Sequence, residues 1–266
     1  MKIKSVFLME MGCLKLTYYQ EEPTLKVVHR ADEQQEKVVQ WFLSVDPLAE
    51  KFPSISSYAY VANNPLNAID PDGREIKLIL GRDKNGTVTQ MVTYRNGNLY
   101  SSDGTVYNSN KPFALTVQYT LKSLSGMKNE TVRSVVNQLE TSDNIHYIEQ
   151  DPYGGDRVSP VAGQWHAANE GTGVDTHMKL TLDGEPIEGD LETSPETTLG
   201  HELKHAYDLD QGNYKGQMEI SPSNKSPKEI SAVNFENKIR HERDMEIRTS
   251  YGNKEIDKTK LEDPSK

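Results

Sequence analysis

The feature that most constrains this chain is a five-residue segment, H-E-L-K-H, at residues 201–205. The residues S-P-E at 194–196 precede it. They form a typical helix start, with serine as N-cap, proline at the first helical position and an acid in the first turn. We therefore predict a helix that runs to about Tyr207. On such a helix His201 and His205 lie on one face, one turn apart.

Two imidazoles at this spacing can bind one Zn²⁺ at about 2.0–2.1 Å. Glu202, next to the first histidine, then points at the open position of the metal. Because catalytic zinc lowers the pKa of water to about 7, Glu202 is placed to act as general base in peptide hydrolysis. The alternative is a chance pair of histidines on a surface helix. The apolar residues Leu199, Leu203 and Ala206 favour the zinc interpretation, because they give the helix a side to bury.

A catalytic zinc needs a third protein ligand, and a second predicted helix, beginning near Ser226 and Pro227, offers two carboxylates. One face of that helix carries Glu229, Ala232, Val233, Glu236, Asn237 and Arg240. Glu229 and Glu236 are both candidate ligands, and the small Ala232 would let the two helices approach closely. The alternative is an ordinary solvated face with the aliphatic residues packed inward.

Four further residues and one strand are weaker candidates for the site. Asp208 or Asp210 is predicted to accept an N–H from a ligating histidine, although a solvated carboxylate at a helix end is the simpler interpretation. Tyr251, with Tyr207 behind it, is predicted to stabilise the oxyanion of the tetrahedral intermediate, although a packing role is the simpler one. The strand at residues 178–182 is predicted to be the sheet edge that holds an extended substrate.

The remaining pattern predicts an α+β fold. Apolar residues alternate at 75–80, and a D-K-N-G turn then leads to a second alternating run at 88–94, so a β-hairpin is expected. Helical spacing predicts two short helices at 113–124 and 130–139. A strand is expected at 145–148, followed by a glycine-rich loop at 154–173.

Composition excludes some classes of function. A net charge of −10 argues against nucleic acid as a partner, because binding phosphates requires clustered cations. The single cysteine, Cys13, forms no internal disulfide, so folding does not need an oxidising compartment. No apolar run approaches the roughly 20 residues of a membrane span. We also expect no signal peptide, since Glu10 interrupts the first apolar patch and no cleavage site follows.

Three strings early in the chain resemble the end of an RHS repeat-associated core domain. They are L-S-V-D-P-L-A-E-K-F-P at 43–53, Y-A-Y-V-A-N-N-P at 58–65 and I-D-P-D-G at 69–73. In that family the core closes a β-shell of YD repeats, and the polypeptide after the D-P-x-G sequence is commonly a toxin. The resemblance implies a core tail at 41–74 and a toxin domain at 75–255. Residues 1–40 show no sustained periodicity and are expected to be weakly ordered, and the charged tail at 256–266 is expected to be frayed.

The pattern H-E-L-x-H-A-Y-D followed by E-x-x-A-V-x-x-E-N-x-x-R resembles toxin-type zinc metallopeptidase effectors over roughly residues 115–251. The order E-x-x-A also resembles the third-ligand helix of gluzincins, which implies Glu229 as the ligand and Glu236 as its close rival. The resemblance implies a zincin-like metallopeptidase domain that hydrolyses an intracellular target protein. It further implies delivery by a larger secretion carrier, activity in the cytoplasm of the target cell and a cognate immunity protein.

Two other interpretations stay open. In one, the chain is a non-catalytic RHS core remnant or a protein-interaction tip with a vestigial metal site; the lack of the repeat region in this sequence favours it, and the intact Glu202 opposes it. In the other, the metal is structural, and Asp208 or Glu236 fills the fourth coordination position.

Overall fold

A computed structural model describes residues 75–266, except 152, 183, 188–190 and 219, and also the backbone of three short strands before them. The chain divides into two compact units, residues 1–43 and 44–266. The RHS-like strings at 43–73 lie outside the described residues. The domain boundaries implied by that resemblance stay predictions.

The described part of the first unit is a small antiparallel sheet. Its strands are β1 (Glu10–Met11), β2 (Leu14–Thr17) and β3 (Lys26–His29). β2 lies in the centre, with one neighbour on each side. That residues 1–40 are weakly ordered as a whole stays a prediction.

The second unit contains a six-stranded mixed sheet among its described residues. The strands are β4 (Glu75–Arg82), β5 (Val88–Arg95), β6 (Asn98–Tyr100), β7 (Ile145–Gln150), β8 (Arg157–Pro160) and β9 (Thr176–Leu180). In space their order is β6-β5-β4-β7-β9-β8. The pairs β4–β7 and β7–β9 are parallel, and the other neighbours are antiparallel. The predicted β4–β5 hairpin is confirmed.

Five α-helices are described in this unit: α1 (Pro112–Ser125), α2 (Glu130–Glu140), α3 (Trp165–Asn169), α4 (Pro195–Asp210) and α5 (Pro227–Glu242). The predictions of α1, α2, α4 and α5 are confirmed, and so is the mixture of helices and strands. Helices α1, α2 and α4 share one apolar core with alternate residues of the sheet, because successive strand side chains point to opposite faces. In the described part of the chain, no helix has the length and apolar character needed to cross a bilayer.

The start of α4 follows from local chemistry. The Ser194 hydroxyl accepts from the Thr197 backbone N–H, and the Thr197 side chain accepts in return from the Ser194 N–H, which closes a capping box. One turn later Gly200 faces α5. A Cβ atom on Gly200 would lie 2.1 Å from Cδ1 of Ile239, so the close approach of α4 and α5 depends on this glycine.

The edge of the sheet differs from the sequence prediction. The strand predicted at 178–182 as the sheet edge is β9, which lies between β7 and β8 and is therefore interior. Among the described strands, β8 forms the edge on that side of the sheet. It lies inside the stretch predicted as a glycine-rich loop, and α3 follows it in the same stretch. The four residues of β8 are too few to show a two-residue alternation, and their pairing comes from the long-range register with β9.

The C-terminal tail, predicted to be frayed, is instead attached to α5. The Asn234 side chain donates to the Lys260 carbonyl at 2.9 Å and accepts from the Glu262 N–H at 3.0 Å. Leu261 packs against a small apolar cluster of Ile230, Val233 and Ile256. The sequence did not indicate this attachment, because the tail is held through its backbone atoms and its side chains are mostly charged.

Candidate metal centre

Three buried side chains converge where α4 meets the first turn of α5. Nε2 of His205 lies 3.2 Å from Nε2 of His201 and 3.1 Å from Oε2 of Glu229, and the distance from His201 Nε2 to Glu229 Oε2 is 3.5 Å. One ligand atom from each residue therefore lies within 4.8 Å of the other two. The residues are only 7%, 8% and 4% exposed for His201, His205 and Glu229. This group can hold a metal ion.

Glu202 lies beside this group and is itself buried, with 6% exposure. Among the described residues, its Oε2 atom has no hydrogen-bond partner. A buried carboxylate oxygen without a partner is costly, so it signals a site that is completed by something other than the protein. Two imidazoles, the Glu229 carboxylate and this orphaned oxygen together fit a site that a metal ion completes.

The second ring nitrogen of His201 is held by Glu236. The distance from His201 Nδ1 to Glu236 Oε2 is 3.1 Å. Arg240 Nε donates to the same carboxylate at 2.7 Å and Arg248 Nη1 donates to it at 2.9 Å. Glu236 therefore lies behind His201 rather than in the ligand group, and it supports the histidine in the way that carboxylates commonly support metal-binding imidazoles.

The second ring nitrogen of His205 contacts the Tyr214 hydroxyl at 2.5 Å. Sequence reasoning missed Tyr214, which lies in the turn after α4. The one sequence signal for it is an aromatic residue in an otherwise polar and glycine-rich stretch, Q-G-N-Y-K-G. Nothing local in that stretch predicts a contact with a histidine nine residues earlier.

In the described part of the chain, neither aspartate at the end of α4 contacts His201 or His205, so the prediction that one of them supports a histidine is wrong. Asp208 binds the Lys204 ammonium at 2.6 Å and the Asn213 amide at 3.0 Å. Asp210 accepts from the Asn144 side chain at 2.8 Å. Asp210 also lies 3.6 Å from Nε2 of His146, so both carboxylates are turned towards partners other than His201 and His205.

Tyr251 is brought to the site, as its candidate role requires. Its ring stacks on His201 with centroids 6.2 Å apart and an interplanar angle of 16°. Burial and the nearby Glu229 carboxylate raise the pKa of its hydroxyl. It lies on β10 (Ser250–Tyr251), which forms a hairpin with β11 (Lys254–Glu255). Asn237 positions this segment, because its amide pairs with both the N–H and the carbonyl of Arg248 at 2.8 Å.

Tyr207, the weaker tyrosine candidate, is partly buried and packs against the main core. Its ring lies 5.3 Å from the Lys204 ammonium, in a cation–π contact. These contacts give it the packing role that was the simpler interpretation.

Mutual contacts shift the pKa values of the cluster strongly. Burial lowers the pKa of the His201 imidazole, but hydrogen bonds to Glu229 and Glu236 outweigh burial and raise it to about 9. Burial raises the pKa of the Glu229 carboxyl, but its bonds to the histidines outweigh burial and lower it. Burial raises the pKa of Glu202, and the nearby Asp156 adds to that rise. Strongly shifted groups that share one buried point are typical of functional sites.

Comparison with protein-family models, with curated proteins and with solved structures finds no match for this chain. The RHS and zincin-like resemblances therefore stay predictions. What the chain does has to be inferred from the chemistry of the site itself.

Proposed function

We propose that this chain is a zinc-dependent peptidase whose metal is held by His201, His205 and Glu229. The observation that carries the proposal is the convergence of these buried side chains beside Glu202, whose Oε2 has no partner among the described residues. Two histidines and one glutamate form a donor set of catalytic zinc sites, which keep one position open. When bound, zinc supplies Lewis acidity, which acidifies water and polarises a peptide carbonyl.

Two protein side chains supply the proton transfer and the stabilisation of the oxyanion. Glu202 takes a proton from the attacking water and passes it to the leaving amine. Tyr251, whose hydroxyl lies at Glu229, donates to the carbonyl oxygen as that oxygen gains charge. A structural zinc would need a fourth protein ligand. Of the two candidates, Asp208 binds Lys204, and Glu236 binds Nδ1 of His201 and two arginines, so neither belongs to the ligand group, which favours the catalytic interpretation.

The edge of the sheet at β8 favours a polypeptide as the substrate. In the part of the chain that the structure describes, β8 is an edge strand that pairs only with β9, and both strands contact α4, which carries the histidines. An extended peptide can add to the free edge of β8 by backbone hydrogen bonds, with its side chains pointing alternately to either side. This assigns to β8 the role that was predicted for the strand at 178–182.

We further propose that the peptidase is the toxin of an RHS-type protein. Its substrate would be a protein in the cytoplasm of a target cell, reached through a larger secretion carrier, and a cognate immunity protein would bind it in the producing cell. The resemblance of the strings at 43–73 supports this part of the proposal.

The test is cleavage of a proteome-derived peptide library, followed by mass spectrometry, with zinc content measured on the same preparations. The wild type is expected to cleave, and Glu202→Gln is expected to retain zinc and lose cleavage. Glu130→Gln, which changes an exposed glutamate at the start of α2, is the matched control and is expected to cleave normally. Equal cleavage by wild type and Glu202→Gln would remove Glu202 as the base, and a zinc-loaded wild type that cleaves nothing would favour the non-catalytic interpretation.

A further inference from the structure

His201 and His205 have outer partners of different chemistry. His201 is backed by the carboxylate of Glu236, whereas His205 is backed by the hydroxyl of Tyr214. The His205 and Tyr214 rings meet edge to face, with centroids 6.3 Å apart and an interplanar angle of 73°. We propose that Tyr214 is a positioning residue that holds His205 with its Nε2 directed at the metal. This inference rests on the metal site of the proposed function.

The argument starts from the two nitrogens of the ring. Nε2 of His205 is the atom that faces His201 and Glu229, so Nε2 is the nitrogen available to a metal. A neutral imidazole that ligates through Nε2 carries its proton on Nδ1, and that proton needs an acceptor. The Tyr214 oxygen accepts it. Without this acceptor the ring is free to adopt the other tautomer, in which Nε2 carries a proton and cannot ligate.

Tyr214 is rigid enough for this role. It is 6% exposed and belongs to a small apolar cluster with Ala168, Val174, Leu209 and Met218. The Lys228 ammonium lies 5.8 Å from the centre of its ring. Lys228 directly precedes the ligand Glu229, so the tyrosine also contacts the helix that supplies the third ligand.

The turn that carries Tyr214 is itself closely packed. Gly212 has a φ of 69°, a region that favours glycine, and a Cβ atom there would lie 2.2 Å from the carbonyl oxygen of Gly171. The loop before β9 therefore lies directly against this turn. Such packing fixes the backbone next to Tyr214 and limits the positions that its hydroxyl can take.

The test is the zinc affinity of Tyr214→Phe, measured by competition with a chromophoric chelator, beside the absorption spectrum of the Co²⁺-substituted protein. The variant is expected to bind zinc about 10- to 100-fold more weakly, the usual effect of losing an outer partner of a ligand. Its Co²⁺ bands are expected to shift, because the ligand field changes when His205 is no longer held. Tyr94→Phe, which alters a tyrosine of 1% exposure in the core, is the matched control and is expected to match wild type in both readouts.

A second measurement uses the wild type and does not depend on the folding of the variant. In the zinc-loaded, ¹⁵N-histidine-labelled protein, the His205 ring is expected to carry its proton on Nδ1. Ligation of His205 through Nδ1, or a Tyr214→Phe variant with wild-type affinity and Co²⁺ spectrum, would overturn the inference and leave the peptidase proposal intact. A wild type that binds no zinc would overturn both.

Discussion

Replacing Glu236 with glutamine tests the charge network behind the metal centre. The Glu236 carboxylate is 2% exposed and accepts hydrogen bonds from His201, Arg240 and Arg248. Arg240 is fully buried and Arg248 is 8% exposed, so neither guanidinium is well placed to recover its hydration. Glutamine keeps the shape of the side chain and removes its charge, which leaves the two arginines without their shared counter-ion.

Two estimates of the unfolding free energy that Glu236→Gln loses agree in magnitude. Removing one partner of a buried ion pair costs about 3–5 kcal/mol in the free energy of unfolding. Burial alone would raise the pKa of Glu236, but His201 and the two arginines outweigh it and lower the pKa from 4.5 to about 2. A pKa change of this size corresponds to about 3 kcal/mol. We therefore expect Glu236→Gln to lose about 3 kcal/mol at neutral pH, a large part of the total stability of a typical domain.

The assay is urea unfolding of the metal-free protein across pH. Because the folded-state pKa of Glu236 is depressed, its contribution is present above pH 4.5 and is lost as the pH falls towards about 2. The difference between wild type and variant is expected to shrink over that range. Glu262→Gln, at an exposed partner of Lys238, is the control and is expected to cost less than about 1 kcal/mol. The reasoning would be refuted if Glu236→Gln lost less than about 1 kcal/mol of unfolding free energy, like the control. It would also be refuted if the loss did not shrink as the pH falls.

Three further variants test other parts of the structure. Gly200→Ala places a Cβ atom 2.1 Å from Ile239 Cδ1, so we expect a loss of about 1–3 kcal/mol in urea unfolding that Ile239→Val relieves; an unchanged midpoint would contradict it. Tyr251→Phe is expected to lower kcat about 100-fold with unchanged zinc content, and a rise in KM alone would contradict a role in the transition state. Asp210→Asn is expected to destabilise the fold by about 1–3 kcal/mol without altering zinc affinity, and weaker zinc binding would show that Asp210 does support the metal site.

The parts of the site encoded by local chemistry were predictable from sequence. Both starts carry a Ser-Pro pair, and its local chemistry acts within a few residues: α4 begins with the Ser194 cap and a first-turn proline, whereas α5 begins with the first-turn proline and no capping hydrogen bond from the Ser226 side chain. Helical spacing alone then places His201 beside His205. The same spacing places Glu229 and Glu236 on one buried face of α5. Which of them meets the Nε2 atoms of both histidines, and which contacts Nδ1 of His201, depends on how α5 packs on α4. The structure decides this through Gly200 and Ile239, a contact that no pattern in either helix reveals.

The parts that depend on long-range contacts were not predictable. The edge strand β8 pairs with a strand that begins 16 residues after the end of β8, and its sequence has no distinct period. The prediction that Asp208 or Asp210 supports a histidine rests on their nearness to the histidines in sequence. Their orientation is set instead by Lys204, Asn213 and Asn144. Tyr214 was missed for the same reason, since its contact with His205 depends on the path of the turn after α4.

The most direct test of the central claim is the zinc content of the purified protein, measured by mass spectrometry of the metal for wild type, Glu229→Gln and Glu202→Gln. If His201, His205 and Glu229 are the ligands and Glu202 is the base, the wild type and Glu202→Gln will each carry a single zinc ion per chain, and Glu229→Gln will lose it. Full zinc in Glu229→Gln, or none in the wild type, would contradict the account.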